Sequence, residues 1–310
     1  MKGIFYSMII FLFLMPVILY ISLYLHTSEI ENQLVSTKIS GRQISGYANS
    51  ISMDTKRALE MTTKRSLFVL QKMVYDRCSF IPNSKKRIEE LIVNGTYDGN
   101  FSSFMENSSM VFWAGSIERI GESLGYNSKI RIDDVVVQPY DSFHLIAKLN
   151  ITIKVNETAG SMRLDRKSQN QAIVSIDGLV DPLYFVSTGC VFDRIIRYNG
   201  SINGVAGVDN SVAMSYFTSY ENAPSFLDRL EGRTSKYYSG ETNNIGMESI
   251  INIKYLSDRG FDVSGYETKS HVDYLYFADA QGYPVNNSKY EFLRLDSNHG
   301  MLYGVNLIIT

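Results

Sequence analysis

Phe143-His-Leu-Ile-Ala-Lys-Leu-Asn-Ile-Thr-Ile-Lys-Val-Asn156 carries an apolar side chain at seven successive odd positions, Phe143, Leu145, Ala147, Leu149, Ile151, Ile153 and Val155. The even positions read His144, Ile146, Lys148, Asn150, Thr152, Lys154 and Asn156. A period of two is the pattern of an antiparallel strand with one face in a core and the other in water. Strands at Ile130 to Val137 and Ala172 to Ile176 are expected beside it, the second reached through the turn Glu157-Thr158-Ala159-Gly160, so the centre of the chain reads as a β-meander.

Such a sheet needs helices on its apolar face, and the sequence supplies them upstream. Ser108 or Ser109 can cap a helix whose Trp113, Ile117, Ile120 and Leu124 share a side, with Gly125 at its stop. A shorter helix is expected at Lys85 to Val93, closed by Asn94-Gly95. Between Thr27 and Arg77 there is no proline, and Ile30, Leu34, Gly41, Ile44, Ala48, Ile51 and Ala58 recur near a three-four spacing, followed by Leu67, Val69, Leu70, Met73 and Val74. This reads as one long helix ended by Pro82, whose middle is weakened at Gly41 and Gly46 enough to permit a break or hinge. Downstream, helices are expected at Pro224 to Leu230 and Met247 to Leu256 and strands at Val272 to Phe277 and Met301 to Ile309, with a solvated turn at Asp133-Asp134, a structural corner rather than a site at Asp177 to Tyr184, and a flexible surface turn at Gly200 to Gly207.

The long helix is preceded by an uncharged run of 22 residues, Ile4 to Leu25, behind Met1-Lys2-Gly3. As a helix it would span ~33 Å, enough for the hydrocarbon core of a bilayer. Small residues suited to signal cleavage are missing around Ser22 to His26, which favours a retained anchor, and Pro16 within it is compatible with a bend. The sequence thus divides into a cytoplasmic head (1–3), a transmembrane helix (4–25), a helical stalk (27–77) and an extracytoplasmic α+β domain (84–310), with no second span. Lys2 puts the N-terminus inside, although Lys38 and Arg42 weaken the charge bias. Seven Asn-x-Ser/Thr triplets, headed by Asn94, Asn100, Asn107, Asn150, Asn156, Asn199 and Asn286, mark candidate glycosylation sites and point the remainder outward. An Asn- and Ser-rich surface, which would give about half that number by chance, is the alternative.

A net charge of −2 and the lack of a basic, aromatic-interleaved stripe argue against a nucleic-acid partner. Cys78 and Cys190 are the only cysteines. In an extracytoplasmic chain they read most simply as one disulfide clamping the end of the stalk to the body, with two separate buried thiols as the alternative. No HExxH, phosphate loop, GxSxG or EF-hand is present, and His26, His144, His271 and His299 are scattered, so no catalytic residue, metal ligand or cofactor is assigned.

Lys2-Gly3 followed by Ile4-Phe5, the unbroken helix behind it and the sheet packed on helices together resemble type IV pilin-like proteins. The likeness extends to large archaeal single-pass proteins with a pilin-like start. Asp177-Gly-Leu-Val-Asp-Pro-Leu-Tyr184, Ser225-Phe-Leu-Asp-Arg-Leu-Glu231 and Gly246-Met-Glu-Ser249 look like sequence blocks of that group. The resemblance implies prepilin-type processing between Gly3 and Ile4, membrane lipid as one partner and other pilin-like subunits, met through the N-terminal helix, as the others. Pilins carry Glu at the fifth mature position where this chain has Met8, as the largest type II secretion pseudopilin also lacks it. A minor or tip subunit is therefore the expected role. An extracytoplasmic ligand-binding or sensor module working with a membrane partner is the principal rival, and an anchored hydrolase a third reading.

Overall fold

The computed structural model describes residues 2–158, 160, 162–241 and 245–309, with side chains other than those of 2–13, 30, 32 and 33. The chain is α+β: a long N-terminal helix lies on an antiparallel sheet. In order, α1 (Lys2–Arg77) and α2 (Ser84–Asn94) precede the two-residue pair β1 (Thr96–Tyr97) and β2 (Asn100–Phe101), then α3 (Met110–Ser123). The meander β3 (Tyr126–Asp141), β4 (His144–Glu157) and β5 (Arg163–Ser175) follows. The remainder comprises α4 (Pro182–Ser187), β6 (Ile196–Arg197), α5 (Gly204–Met214), β7 (Tyr216–Tyr220), α6 (Phe226–Leu230), β8 (Gly246–Ser249), α7 (Ile253–Asp258), α8 (Asp273–Phe277), β9 (Tyr283–Pro284), β10 (Arg294–Leu295) and α9 (Ser297–Leu302).

All seven odd-numbered apolar residues of the Phe143–Val155 run are buried. The C-terminal half of α1 covers that face: Ile44, Ala48, Ile51, Leu59, Leu67, Leu70 and Val74 are buried, and Ser52 Oγ meets Ser168 Oγ of β5 at 2.8 Å. Thr55, Thr63 and Ser66 are buried on the same helix because each hydroxyl donates to the carbonyl four residues back, which satisfies it without a partner outside α1. The exposed edge of β3 is closed by carboxylates, with Glu118 of α3 accepting from Ile130 N at 2.8 Å and Glu89 of α2 from Val137 N at 3.0 Å. Occupied edge donors cannot template another strand. The even face of β4 is wetter but not bare, since Ile146 and Thr152 are buried and Lys148 pairs with Glu241.

Several expectations are corrected. No hinge interrupts α1, which runs unbroken through Gly41 and Gly46. A Cβ at Gly41 would stand 3.0 Å from Met162 Cε, so that glycine admits the β4–β5 hairpin rather than breaking the helix. Ile30, one of the apolar positions of the stalk, has its side chain outside the described residues. On α3 Met110, Ala114 and Gly121 are buried and the expected Trp113 and Ile117 pack half-buried on the core, whereas Ile120 and Leu124 are exposed because the helix approaches β3 closely at Gly121. Asp133-Asp134 is not a turn: it lies inside β3, with a register shift between Ile132 and Asp134 that turns Asp133 toward Thr152 Oγ1, 2.6 Å away. Strands β3 and β5 both extend well past the expected boundaries. Ala159 of the β4–β5 turn lies outside the described residues.

Further on, the segment read as the surface turn Gly200 to Gly207 instead starts helix α5 at Gly204. The Met247 to Leu256 helix divides into strand β8 and helix α7, because Asn252 caps the latter by accepting from Tyr255 N, and Gly246 packs so closely on Ala223 that a Cβ would collide with the Ala223 carbonyl. Val272 to Phe277 forms α8 rather than a strand, and Met301 to Ile309 belongs first to α9, capped upstream by Asp296, and then to a single bridge between Leu307 and Val285.

Candidate functional site

Two features stand apart from ordinary packing. The first is the free part of α1. Leu14, Met15, Val17, Ile18, Leu19, Tyr20, Ile21, Leu23, Tyr24, Leu25, Leu34, Val35 and Ile39 are all at least half exposed, and among the described residues the first buried one on α1 is Ile44. At ~1.5 Å per residue, α1 reaches ~60 Å beyond the body. Apolar surface on this scale is unfavourable in water by ~25 cal/mol per Å² and marks a surface that something covers. Among the described residues no helix is long and apolar enough to cross a membrane. The expected span starts at Ile4, however, and the side chains of residues 2–13, including the processing pair Gly3 and Ile4, lie outside the described residues.

The second is a sealed ionic cluster at the junction of α4, α6, β8 and α8. Arg229 is fully buried; its Nη1 donates to Asp181 Oδ2 at 2.8 Å and stands 2.9 Å from Asp273 Oδ2, its Nη2 donates to the Met247 carbonyl, and its guanidinium lies 5.7 Å from the Phe217 ring. Burial acts to lower the Arg229 pKa, but the two carboxylates outweigh it and the charge is held. Burial pushes Asp181 up, against the pull of Arg229. Each acid also serves a backbone: Asp181 Oδ2 accepts from Tyr184 N at 3.1 Å, and Asp273 Oδ2 accepts from Ser249 N and Oγ at 3.1 and 2.9 Å.

Neighbouring residues extend the network. Asp228 closes a capping box with Ser225 and accepts from Tyr237 N and Tyr238 N, both at 3.1 Å. Glu231 accepts from Ser84 N at 2.8 Å and from the Tyr238 hydroxyl, tying α2 to α6. On the far side of β8, His299 Nε2 is 3.0 Å from Glu248 Oε2 and Nδ1 is 2.6 Å from Asp296 Oδ2. Burial opposes the imidazolium, but hydrogen bonds to Asp296 and Glu248 prevail and raise His299 to about 9. His271, by contrast, is pushed down to about 3 by burial and stays neutral.

This cluster is closed to solvent. Arg229, Asp181 and Asp273 are 0 % exposed and face one another and backbone groups, with Asp181 Oδ1 and Arg229 Nε left without a hydrogen-bond partner. Among the described residues no group of three or more His, Cys, Asp or Glu is arranged to hold a metal ion. The arrangement is a fastening. Asp181, Arg229 and Met247 come from the three blocks Asp177–Tyr184, Ser225–Glu231 and Gly246–Ser249, which the fold brings to one point. Sequence reading singled out those blocks but missed Asp273, hidden in an apparent strand, and the His299 pairing.

Cys78, one residue past α1, is joined to Cys190 behind α4 as a disulfide, the Cα atoms 5.9 Å apart and 112 residues apart in sequence. Of the sequon asparagines, Asn94, Asn100, Asn107, Asn156, Asn199 and Asn286 are exposed and Asn150 is half-buried on β4. No family model, curated protein or solved structure matches this chain.

Proposed function

We propose that the chain is a non-enzymatic, membrane-anchored cell-surface protein with pilin-like architecture, serving as a minor or tip subunit of a filament or secretion apparatus. The observation that carries the reading is the division of labour within the single helix α1: from Ile44 on it is built into the body, and before that it presents unpartnered apolar side chains. In this reading Ile4 to Leu25 holds the chain in lipid and afterwards packs on the corresponding helices of other subunits, while the globular part faces out of the cell. Lys2-Gly3-Ile4 is the processing site. The disulfide and the six exposed sequon asparagines suit an extracytoplasmic surface. Replacing Gly3→Val tests it: the anchor is kept, and the precursor is expected to accumulate unprocessed in the membrane. Maturation at an unchanged rate would sink the proposal.

A further inference from the structure

Between α1 and α3 runs a groove of about 290 Å³ outside both features already described. Met61 and Arg65 of α1, Phe112 and Trp113 of α3, and Asn107 and Ser108 of the turn that leads into α3 line it. Its walls are fixed: Trp113 Nε1 donates to Asp54 Oδ2 at 2.8 Å, and Arg65 donates to Ser108 Oγ across the rim. Ser109 holds the turn by capping α3, accepting from Phe112 N at 3.2 Å. Asn107 itself is exposed, in the left-handed region at φ 57°.

A thioether from α1 facing aromatic rings from α3, with guanidinium, amide and hydroxyl groups at the rim, is chemistry that receives a sugar. Its C–H face lies on the electron-rich face of an aromatic ring, and its hydroxyls meet the polar rim. The volume is at the small end of ligand pockets, roughly 300 Å³, which suits the first sugars of a chain rather than a whole oligosaccharide. The sugar need not come from outside, because Asn107-Ser108-Ser109 is a glycosylation sequon and its asparagine lines the groove. We propose that the groove seats the proximal sugars of a glycan carried by Asn107, which cover the apolar side chains of Met61 on one helix and of Phe112 and Trp113 on the other. The inference rests on the outward-facing reading of the globular part.

Trp113 is the sole tryptophan of the chain, so its fluorescence reports this groove alone. The full-length protein extracted from its own host is compared with Asn107→Gln and with Asn199→Gln, an exposed sequon elsewhere, while glycopeptide mass spectrometry reads occupancy at all seven sites. Asn107→Gln is preferred to Ser109→Ala, which would remove the helix cap together with the sequon. The expected result is an occupied Asn107, with a red-shifted Trp113 emission and increased acrylamide quenching in Asn107→Gln but not in Asn199→Gln. An occupied Asn107 whose loss leaves emission and quenching unchanged overturns the proposal, the sugar then pointing into solvent. A bare Asn107 beside glycans on other sequons overturns it while leaving the outward topology standing. Seven bare sequons overturn it together with the glycoprotein part of the surface reading, whose anchor and processing are read separately from the mature N-terminus.

Discussion

At the level of single residues, Arg229 decides most. Deleting one partner of a buried ion pair leaves uncompensated charge, and here two carboxylates, Asp181 and Asp273, would be stranded with 0 % exposure. Arg229→Ala is expected to cost roughly 3–5 kcal/mol in denaturant unfolding. Arg229→Lys should not restore it, because one ammonium cannot serve two acids and the Met247 carbonyl in the planar geometry that Arg provides. Wild-type stability in Arg229→Ala would show that the cluster is no fastening. His299 makes a second prediction. It faces Glu248, Asp296 and the rings of Tyr220, Tyr274 and Tyr303, and its pKa is raised from its ordinary value to about 9. A raised folded-state value means that the contribution is complete below pH ~6.5 and is lost as pH rises toward 9, by up to roughly 3 kcal/mol. Unfolding free energies measured across that window should decline, and His299→Gln should flatten the decline.

Among the elements, glycines separate helix propensity from close packing. Gly46 lies in regular helix with open space around its missing Cβ, whereas a Cβ at Gly121 would meet Ser128 Oγ and Tyr47 Oη, each at 2.5 Å. Gly46→Ala is therefore expected to stabilise the protein by up to ~1 kcal/mol and Gly121→Ala to destabilise it by ~1–3 kcal/mol, read as opposite shifts in the denaturation midpoint. The same two residues show what the sequence could convey. Glycine in a helical pattern signals weakness, and only the fold reveals that Gly121 is where α3 touches β3 and α1 while Gly46 touches nothing. The Phe143–Val155 strand was legible because its alternation lasts for seven apolar positions, and α1 because its spacing persists for many turns. The C-terminal elements were not. Val272 to Phe277 is rich in aromatic residues and too short for periodicity to separate helix from strand, and the glycines of Gly200 to Gly207 masked the start of α5. Of the site, the three blocks were visible, but the contact among Asp181, Arg229 and Asp273 spans 92 residues of sequence and has no local pattern.

For the whole molecule, one helix joins an exposed apolar stretch to the packed body. The disulfide between Cys78 and Cys190 ties the C-terminal end of that helix to α4, and Glu231 with Ser84 ties α2 to α6, so force or orientation imposed on α1 reaches the rest of the body through fixed connections. Among the described residues, the N-terminal half of α1 has no comparable tie. Lipid, and then neighbouring helices, supply its cover in the proposed reading, and the chemistry at Gly3-Ile4 decides when one is exchanged for the other. The most direct measurement is the intact mass and N-terminal sequence of the protein extracted from membranes. The expected result is a membrane-resident chain that begins at Ile4 and retains the entire apolar run through Leu25. A chain recovered free of membranes, or one whose mature N-terminus lies beyond Leu25, would contradict it.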